Sequence, residues 1–347
     1  MKVNRKELVN ILSLLRPGLN KDEKGKETCH FIFFTDQITV YNDKMCIIHP
    51  FESEDEFSVK GEEFYRLING ITDEEIDLIV KNNKIKIKSK TTSSQLALLE
   101  EDQKNVSEKI ISLEENYSKW IKLPSNFIEA LSLCHFSASS DLTMGANSCV
   151  QIVGDKCYAT DNVRASYYTM DETMKNFNIP AKTVIELIKF PITEYCYNKK
   201  WVSFKTDDDV IFSCATVGEI FDCSQIDRLF LELENLPVVE LPDELKQTII
   251  EVLILASDDV RTGKRIFISL NKNSLLVRAE NELGFVEKTI EIDYEEEPLE
   301  MGINSNFITQ ILDRSYEMYI GEKSLYFAVP NFFHIMMKAE SFVSKEK

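Results

Sequence analysis

The stretch VIELI at residues 184–188 has apolar side chains at its first, fourth and fifth positions, and the same spacing occurs in FYRLI at 64–68 and ITQIL at 308–312. This spacing is typical of an amphipathic helix. An earlier helical pattern recurs with a similar step, at Leu8 and Leu12, Phe127 and Leu131, and Leu245 and Ile249. A hairpin-like stretch follows each quoted helix, with middle positions Ile85, Val202 and Leu325. A repeat of about 120 residues is long enough to be a whole domain, so the sequence predicts three similar domains in one chain.

Length and composition agree with this prediction. The 347 residues are enough for two or three domains, each with its own core, and we place the domains at 1–117, 118–236 and 237–347. A chain with 44% hydrophobic and 28% charged residues is typical of ordinary globular proteins. No apolar run approaches membrane-spanning length, and the start MKVNRKELVNILSLL lacks a small-residue cleavage site, so we interpret it as a helix of the mature fold.

Net charge and cysteine content restrict the classes of function. A net charge of −18 argues against a protein that wraps nucleic acid with a generally basic surface, although one restricted basic face remains compatible with it. The eight cysteines form no C-x-x-C pair, and there are only four histidines. Buried free thiols in a reducing cytosol are therefore favoured over zinc sites or disulfides.

Each repeat has the same predicted order of helix, strands, helix and hairpin. Pro17 and Gly18 should end the first helix, Asn82 and Asn83 should form a hairpin turn, and Ser125 is a candidate N-cap. The polar stretches 100–119 and 222–236 are predicted linkers. Two helices with many short strands per repeat predict an α+β fold, in which the helices cover one face of an antiparallel sheet.

Four segments resemble the sliding clamp of bacterial replication, the β subunit of DNA polymerase III. They are KLPSNFIEALSLCHFSAS at 122–139, CYATDNVRAS at 157–166, NIPAKTVIELIKF at 178–190 and GINSNFITQIL at 302–312. The second segment resembles the family pattern A-T-D-G-x-R-L, but Asn162 stands where the family usually has Gly, and Ala165 where it usually has Leu. These departures slightly favour a phage or plasmid member of the family.

The resemblance implies three tandem DNA-clamp domains and a head-to-tail homodimer that closes into a six-domain ring. The helices would line a pore around double-stranded DNA, which the ring would hold without sequence preference. DNA polymerase and a clamp loader would be further partners, and the protein would be a cytoplasmic, nucleoid-associated processivity factor without enzymatic activity or cofactor. An alternative is a clamp-like scaffold or inhibitor that binds partner peptides without encircling DNA.

Helix geometry selects the charges that would face DNA. In the first helix, Leu8, Ile11, Leu12 and Leu15 form the apolar stripe, so the opposite side would face the pore. The same reasoning, applied to the helices that the resemblance places in the pore, selects Lys6, Arg16, Lys60, Arg66, Lys182, Lys189, Lys246 and Arg314. The alternative for each is an ordinary solvated surface charge.

Two stretches of opposite charge suggest the closing interface of the dimer. Lysines dominate residues 81–90, whereas acidic residues dominate 291–297. Complementary charge could steer assembly around an apolar centre. We place in this interface Leu96, Leu98, Lys86 and Lys88 from one chain and Ile290, Glu291 and Asp293 from the other. Alternatively, the lysines protect an exposed strand edge from aggregation.

The resemblance also implies an apolar pocket for short peptide motifs of partner proteins. Carried over by position, its wall would comprise Thr160, Asn162, Val163, Arg164, Ile226, Leu229, Phe230, Met336, Met337 and Lys338. Methionine suits adaptable recognition of several peptides. The alternative is plain packing between domains.

No catalytic motif is found in the sequence. It contains none of the common nucleotide-binding, metalloprotease or serine-hydrolase motifs. The acidic triplet 207–209 could bind Mg²⁺ in a nuclease, but three adjacent acids in a turn point in different directions. We therefore expect no catalytic residues and no metal site, and an enzyme is the more distant alternative.

Overall fold

The computed structural model describes residues 1–19, 29–99, 107–111, 113, 117, 119–231, 233–256, 258–259 and 263–339. The chain divides into two compact units. One comprises Met1–Ser125 and Phe177–Gly218, and the other comprises Asn126–Asn176 and Glu219–Lys347. Each unit includes part of the middle repeat, so the two units do not test the three domain boundaries, which stay a prediction.

Six α-helices of the described chain lie at the places that the repeat predicts, and a further one lies in the predicted linker 222–236. The α-helices are α1 Arg5–Leu15, α2 Gly61–Gly70, α3 Phe127–Cys134, α4 Ala181–Leu187, α5 Ser224–Leu229, α6 Leu245–Val252 and α7 Ser305–Ile311. Residues 107–111 and 113 are also helical. Short 3-10 helices lie at Arg16–Gly18, His135–Ser137, Leu142–Ser148, Leu233–Asn235 and Leu253–Leu255.

Strands fill most of the rest of the described chain. Up to the start of α3 they are β1 Lys2–Asn4, β2 His30–Phe33, β3 Gln37–Asn42, β4 Met45–Pro50, β5 Phe57–Lys60, β6 Glu75–Val80, β7 Lys84–Lys88, β8 Ser93–Ala97 and β9 Ile121–Lys122. Between α3 and α6 they are β10 Cys149–Thr160, β11 Arg164–Pro180, β12 Ile192–Asn198, β13 Trp201–Thr206, β14 Ile211–Ala215 and β15 Val238–Glu240. The last are β16 Asp258–Asp259, β17 Gly263–Asn271, β18 Ser274–Asn281, β19 Gly284–Glu291, β20 Leu299–Asn304, β21 Glu317–Ile320, β22 Ser324–Val329 and β23 Phe332–Met337.

The element order confirms the predicted α+β repeat. Three times a helix (α1, α3, α6) is followed by strands, a second helix (α2, α4, α7) and a further set of antiparallel strands. Each final set is a meander, β6–β8, β12–β14 and β21–β23. The repeat is therefore one of whole supersecondary units and not of sequence spacing alone.

Two large sheets each combine strands from two successive repeats. In the first unit, the eight-stranded sheet has the order β5-β2-β3-β4-β14-β13-β12-β9. Antiparallel pairing of β4 with β14 joins its two halves, with Ile48 opposite Ile211 and Cys46 opposite Ser213. In the second unit, the six-stranded sheet has the order β10-β11-β23-β22-β21-β15, and β11 pairs with β23.

Two smaller sheets draw on one repeat each. The first unit contains the sheet β1-β6-β7-β8, and the second unit contains β16-β17-β18-β19 with β20 paired to β17. Within the described residues, β8 pairs only with β7, and β19 pairs only with β18. Both strands are therefore sheet edges in a single chain.

The two predicted linkers pack on the large sheets. In the first linker, Ile110 and Leu113 are buried against Ile32, Cys46 and Ile48. The rest of that stretch lies partly outside the described residues. In the second linker, Ile226 and Phe230 are buried against β10, β11 and β23. Each linker therefore contributes apolar contacts to the sheet that it crosses.

Most local predictions are confirmed. The first helix gives way to a 3-10 turn at Arg16–Gly18, and the hairpin turns at Asn82 and Asn83, whose φ angles are 53° and 54°. Asparagine tolerates this left-handed region better than most residues. The N-cap prediction for Ser125 is wrong, because α3 begins at Phe127 after Asn126, and no side chain caps it.

The cysteines are free thiols, as expected. Seven of the eight are buried and Cys29 is partly buried. Burial in an apolar environment raises the pKa of the Cys149 and Cys196 thiols to about 11, so both stay protonated at neutral pH.

Replacing Asn4 with Ala should lower the free energy of unfolding by about 1 kcal/mol. Its side chain caps α1 by accepting hydrogen bonds from the backbone N–H groups of Lys6 and Glu7, at 3.0 and 3.1 Å. Denaturant unfolding followed by circular dichroism measures the change. Asn10→Ala, an exposed site within the same helix, is the matched control and should not destabilise. Equal stability of both variants would show that the cap is unimportant.

Candidate functional site

The turn between β10 and β11 is built by side chains that hydrogen-bond to its own backbone. Thr160 Oγ1 accepts from the N–H of Asn162 at 3.1 Å and donates to the carbonyl of Arg164 at 2.7 Å. Asp161 Oδ1 accepts from the N–H groups of Val163 and Arg164. Asn162 has φ 73°, which explains how Asn replaces the usual Gly of the family pattern. This local network holds Val163 at the tip of the hairpin.

Arg164 fixes this turn to helix α7. Its guanidinium pairs with Asp161 at 2.9 Å, donates to Gln310 Oε1 at 2.6 Å, and lies 3.9 Å from the ring centroid of Phe307. Burial lowers the pKa of Arg164 from its ordinary value. The side chain therefore works as an internal brace, and little of it is available to a ligand.

A small cavity lies beside this turn. Its volume is about 130 Å³, and it is lined by Val163, Arg265, Asn304, Phe307, Met337, Lys338 and Ala339. The Met337 N–H donates to the carbonyl of Val163 at 2.8 Å, which holds the two walls together. Val163 and Met337 are 43% and 45% exposed, so apolar surface is open to a ligand.

Three of the ten predicted pocket residues line this cavity: Val163, Met337 and Lys338. Of the others, Ile226 and Phe230 are buried in the contact between α5 and the sheet, and Met336 is buried in β23. Leu229 is exposed but does not line the cavity. Thr160, Asn162 and Arg164 shape the turn, as described above.

Four lining residues were missed from the sequence: Arg265, Asn304, Phe307 and Ala339. A signal existed for Asn304 and Phe307, because both lie in the quoted segment GINSNFITQIL at 302–312. Asn304 caps α7 by accepting from the N–H groups of Asn306 and Phe307. Arg265 is opposite Asn304 in the pairing of β17 with β20, which no local pattern reveals.

A buried polar cluster underlies the β11–β23 pairing. His334 is fully buried and directly opposite Ser166 in the strand register. Its Nδ1 lies 2.8 Å from Ser166 Oγ and 3.3 Å from Ser137 Oγ. Burial, with Arg164 and Arg314 nearby, holds the pKa of His334 well below its usual range, so the ring is neutral. The cluster favours one register and thereby fixes where Val163 meets Met337.

Most cations predicted to touch DNA are already paired. Six of the eight form ion pairs in the described structure: Lys6–Glu74, Arg16–Glu62, Lys60–Glu63, Arg66–Glu62, Lys189–Glu186 and Lys246–Asp313. Most of these pairs are exposed, so each contributes little to stability. The predicted stripe of α1 is confirmed, since Leu8, Ile11, Leu12 and Leu15 are buried.

The remaining two predicted cations differ from each other. Arg314 is partly buried, lies 4.5 Å from the ring centroid of Phe136, and donates to the carbonyls of Gln310 and Ser132. Burial lowers its pKa, as for Arg164. Lys182 on α4 is exposed and has no ion pair within the described part of the chain. Lys182 is therefore the predicted contact with the fewest competing partners.

The lysines of the lysine-rich stretch that lie in β7 all project from the exposed face of the sheet β1-β6-β7-β8. Lys86 and Lys88 are exposed, while Ile85 and Ile87 between them are buried. Leu96 is opposite Ile85, is half-buried and points to the same inner side. Leu98 is buried within its own chain. Replacing Leu98 with Asp would thus destabilise the core of the single chain, whether or not Leu98 lies in an interface.

In the acidic stretch, Glu291 and Asp293 are exposed, but Ile290 is buried opposite Leu275. The exposed apolar residues near edge strand β19 are different ones. Leu283, Phe285 and Ile254 are 89%, 55% and 83% exposed. The sequence analysis missed these three, because a single exposed apolar residue in a turn or at a strand start has no periodic pattern.

The described residues contain no group of three or more His, Cys, Asp or Glu side chains that could hold a metal ion. The triplet 207–209 is exposed in the turn between β13 and β14. No helix in the described part of the chain is long and apolar enough to span a membrane.

Replacing Arg164 with Gln should lower the free energy of unfolding by about 3 kcal/mol, because the largely buried Asp161 carboxylate would lose its partner. The double variant Asp161→Asn, Arg164→Gln should recover at least half of this loss, since no buried charge remains. Thermal and denaturant unfolding of the three proteins provide the measurement. A single variant as stable as the parent would mean that the pair does not brace the turn.

The sequence matches no protein-family model, and no curated protein matches it. Solved structures do match over almost the whole chain. DNA polymerase III β subunits from Bartonella birtlesii, Thermotoga maritima and Streptococcus pyogenes are 18%, 17% and 14% identical, with TM-scores of 0.77, 0.76 and 0.77. Each alignment covers 98% of this chain and 99% of the other. The chain therefore has the fold of the bacterial DNA polymerase III β subunit, the sliding clamp.

Proposed function

We propose that this protein is a DNA sliding clamp, a homodimeric ring that encircles duplex DNA and tethers a DNA polymerase and other partners. One observation carries the proposal. Both internal junctions between repeats are made by antiparallel pairing of two edge strands, and one unpaired edge of each kind remains. A second copy of the chain would satisfy both remaining edges and close the ring.

The remaining edges correspond to those that are already paired. Strand β8 is the last strand of its meander, as β14 and β23 are of theirs. Strand β19 follows a hairpin turn, as β4 and the start of β11 do. Because β4 pairs with β14 and β11 pairs with β23, the repeat predicts that β19 of one copy pairs with β8 of another.

The same correspondence gives a register. Met45 and Arg164, the first residues of β4 and β11, are opposite Cys214 and Met336. The equivalent pair would be Gly284 and Leu96. Continuing along the strands, Phe285 would be opposite Gln95, and Val286 opposite Ser94. The exposed Phe285 would then be covered, and the lysine-rich face would lie near Glu287 and Glu291, which is favourable for steering.

Cysteines at the equivalent positions should cross-link two chains. Directly opposite residues of an antiparallel pair have Cα atoms about 4.5–5.5 Å apart, which is within the range that a disulfide spans. The variant Gln95→Cys, Phe285→Cys should therefore give covalent dimers on mild oxidation, resolved on a non-reducing gel. In the control Gln95→Cys, Val286→Cys, the two side chains point to opposite faces and should link poorly.

The parent protein controls for its own thiols, which are mostly buried. Equal cross-linking of both double variants would refute this register. A parent that sediments as a monomer at micromolar concentration would count against the homodimer itself.

A ring would hold DNA by topology, so weak contacts that ignore sequence are sufficient and the net charge of −18 is no obstacle. On this proposal the exposed helix cations face the duplex, and a clamp loader places the ring on DNA in the cytoplasm, at the nucleoid. No catalytic step is required of the protein.

A second candidate function is a clamp-like scaffold or inhibitor that binds partner peptides without encircling DNA. The ion pairs favour it, because six of the predicted DNA contacts are already partly neutralised by carboxylates. Loading the protein on nicked circular DNA separates the two. A ring stays bound through a high-salt wash and is released when the DNA is linearised, whereas a scaffold is not retained on the circle.

Charge reversal at Lys182 should weaken retention on DNA. Loss of one phosphate contact should reduce the slope of log affinity against log salt by roughly 1. Lys200→Glu, with the same charge change at an exposed turn between β12 and β13, is the matched control and should behave as the parent. Equal retention of both variants would remove α4 from the DNA-facing surface.

A further inference from the structure

We propose that the cavity beside Val163 selects partner segments in which a carboxylate lies next to the apolar anchor, and that Lys338 binds this carboxylate. The inference rests on the proposed role of the protein in binding partner peptides. It adds a chemical preference that comes from this chain's own lining residues.

The charge of the cavity contrasts with that of the chain. The protein has 58 acidic and 40 basic residues, yet none of the described residues that line the cavity is acidic, and Lys338 is one of them. A lysine in a wall without acidic side chains attracts an anionic ligand and disfavours a cationic one. Apolar side chains of Val163, Phe307 and Met337 supply the rest of the wall.

Lys338 is held at the cavity but has no counterion among the residues that the structure describes. Its backbone N–H donates to the carbonyl of Lys323 at 2.9 Å, and the N–H of the next residue, Ala339, donates to the carbonyl of Gly302 at 2.7 Å. The ammonium has one long contact in the described structure, 3.5 Å to the carbonyl of Glu322. Within the described residues Lys338 forms no ion pair, and no carboxylate contributes to the shift of its pKa.

The environment of this ammonium makes a bound anion favourable. The side chain is partly buried, and burial lowers the pKa of Lys338. A partly desolvated charge without a partner is costly, and a ligand carboxylate would form a charge-assisted hydrogen bond there. The cavity has room for about one apolar side chain, so anchor and carboxylate must be close together in the ligand.

The carboxylate could belong to an Asp or Glu side chain or to the C-terminus of a partner, and four peptides distinguish these sources. All follow the pattern that the resemblance to the clamp family implies for a partner peptide, a Gln followed by spaced aliphatic and aromatic residues. They carry either Glu or Gln beside the aromatic residue, and each is made with a free or an amidated C-terminus. Fluorescence anisotropy against the full-length protein gives the dissociation constants.

We expect at least one acidic peptide to bind about tenfold more tightly than the neutral, amidated peptide. In Lys338→Met, which keeps the apolar stem, this preference should fall below about twofold. Lys338→Arg should retain the preference. Whichever carboxylate produces the gain in the parent protein identifies the source.

Equal binding of acidic and neutral peptides to the parent would overturn the charge preference and leave the peptide site intact. A preference that persists unchanged in Lys338→Met would also overturn the assignment to Lys338. Failure of all four peptides to bind would refute the proposed partner-binding role together with this inference. Thermal unfolding of each variant shows whether it is folded. If Lys338→Met does not fold, Lys338→Arg still provides a test, because loss of the preference in that variant would count against the assignment to Lys338.

Discussion

The backbone hydrogen bonds of edge strands are the constraint on which this structure depends. A strand at the edge of a sheet presents unpaired N–H and C=O groups, which must find water or another strand. Here β4 is paired with β14, and β11 with β23, so that two repeats contribute to each large sheet. Other features follow from these two pairings. The linkers pack across the resulting sheets, and the tip of the β10–β11 hairpin meets the end of β23.

Side-chain chemistry at the second pairing shows how such a junction is made specific. Slipping the register by one residue would move Ser166 away from His334 and leave polar atoms buried without partners. Arg164 at the end of the same strand adds a contact to α7. Buried polar groups thus lie beside the cavity. The first pairing contains a buried polar contact too, since Ser213 of β14, which is opposite Cys46, lies 2.7 Å from Ser203 Oγ.

Local sequence features were predictable because short-range physics decides them. The apolar stripe of α1, the end of that helix at Pro17 and Gly18, and the turn at Asn82 and Asn83 each depend on a few neighbouring residues. The α+β fold followed from their repetition. Even the Asn at 162 was noticed as a departure, and its left-handed conformation explains why it is tolerated.

The composition of the candidate site was less predictable because distant segments build it. Val163, Met337 and Lys338 line the cavity, but Arg265 and Phe307 also reach it, through strand pairing and helix packing. Burial was not foreseen at several residues expected at binding surfaces. Leu98, Ile290, Ile226 and Met336 are each buried in the core of their own unit, and their expected roles stay predictions. A sequence shows that a side chain is apolar but not which neighbour covers it.

The free thiols give the two large sheets separate chemical labels. Cys46 and Cys214 lie on the paired strands β4 and β14, whereas Cys149 and Cys157 lie on β10 and Cys223 precedes α5. Buried thiols are inert to alkylation until local unfolding exposes them. The two smaller sheets, β1-β6-β7-β8 and β16–β20, contain no cysteine. Alkylation followed by peptide mass mapping can therefore rank the opening rates of the two large sheets within one unmodified protein.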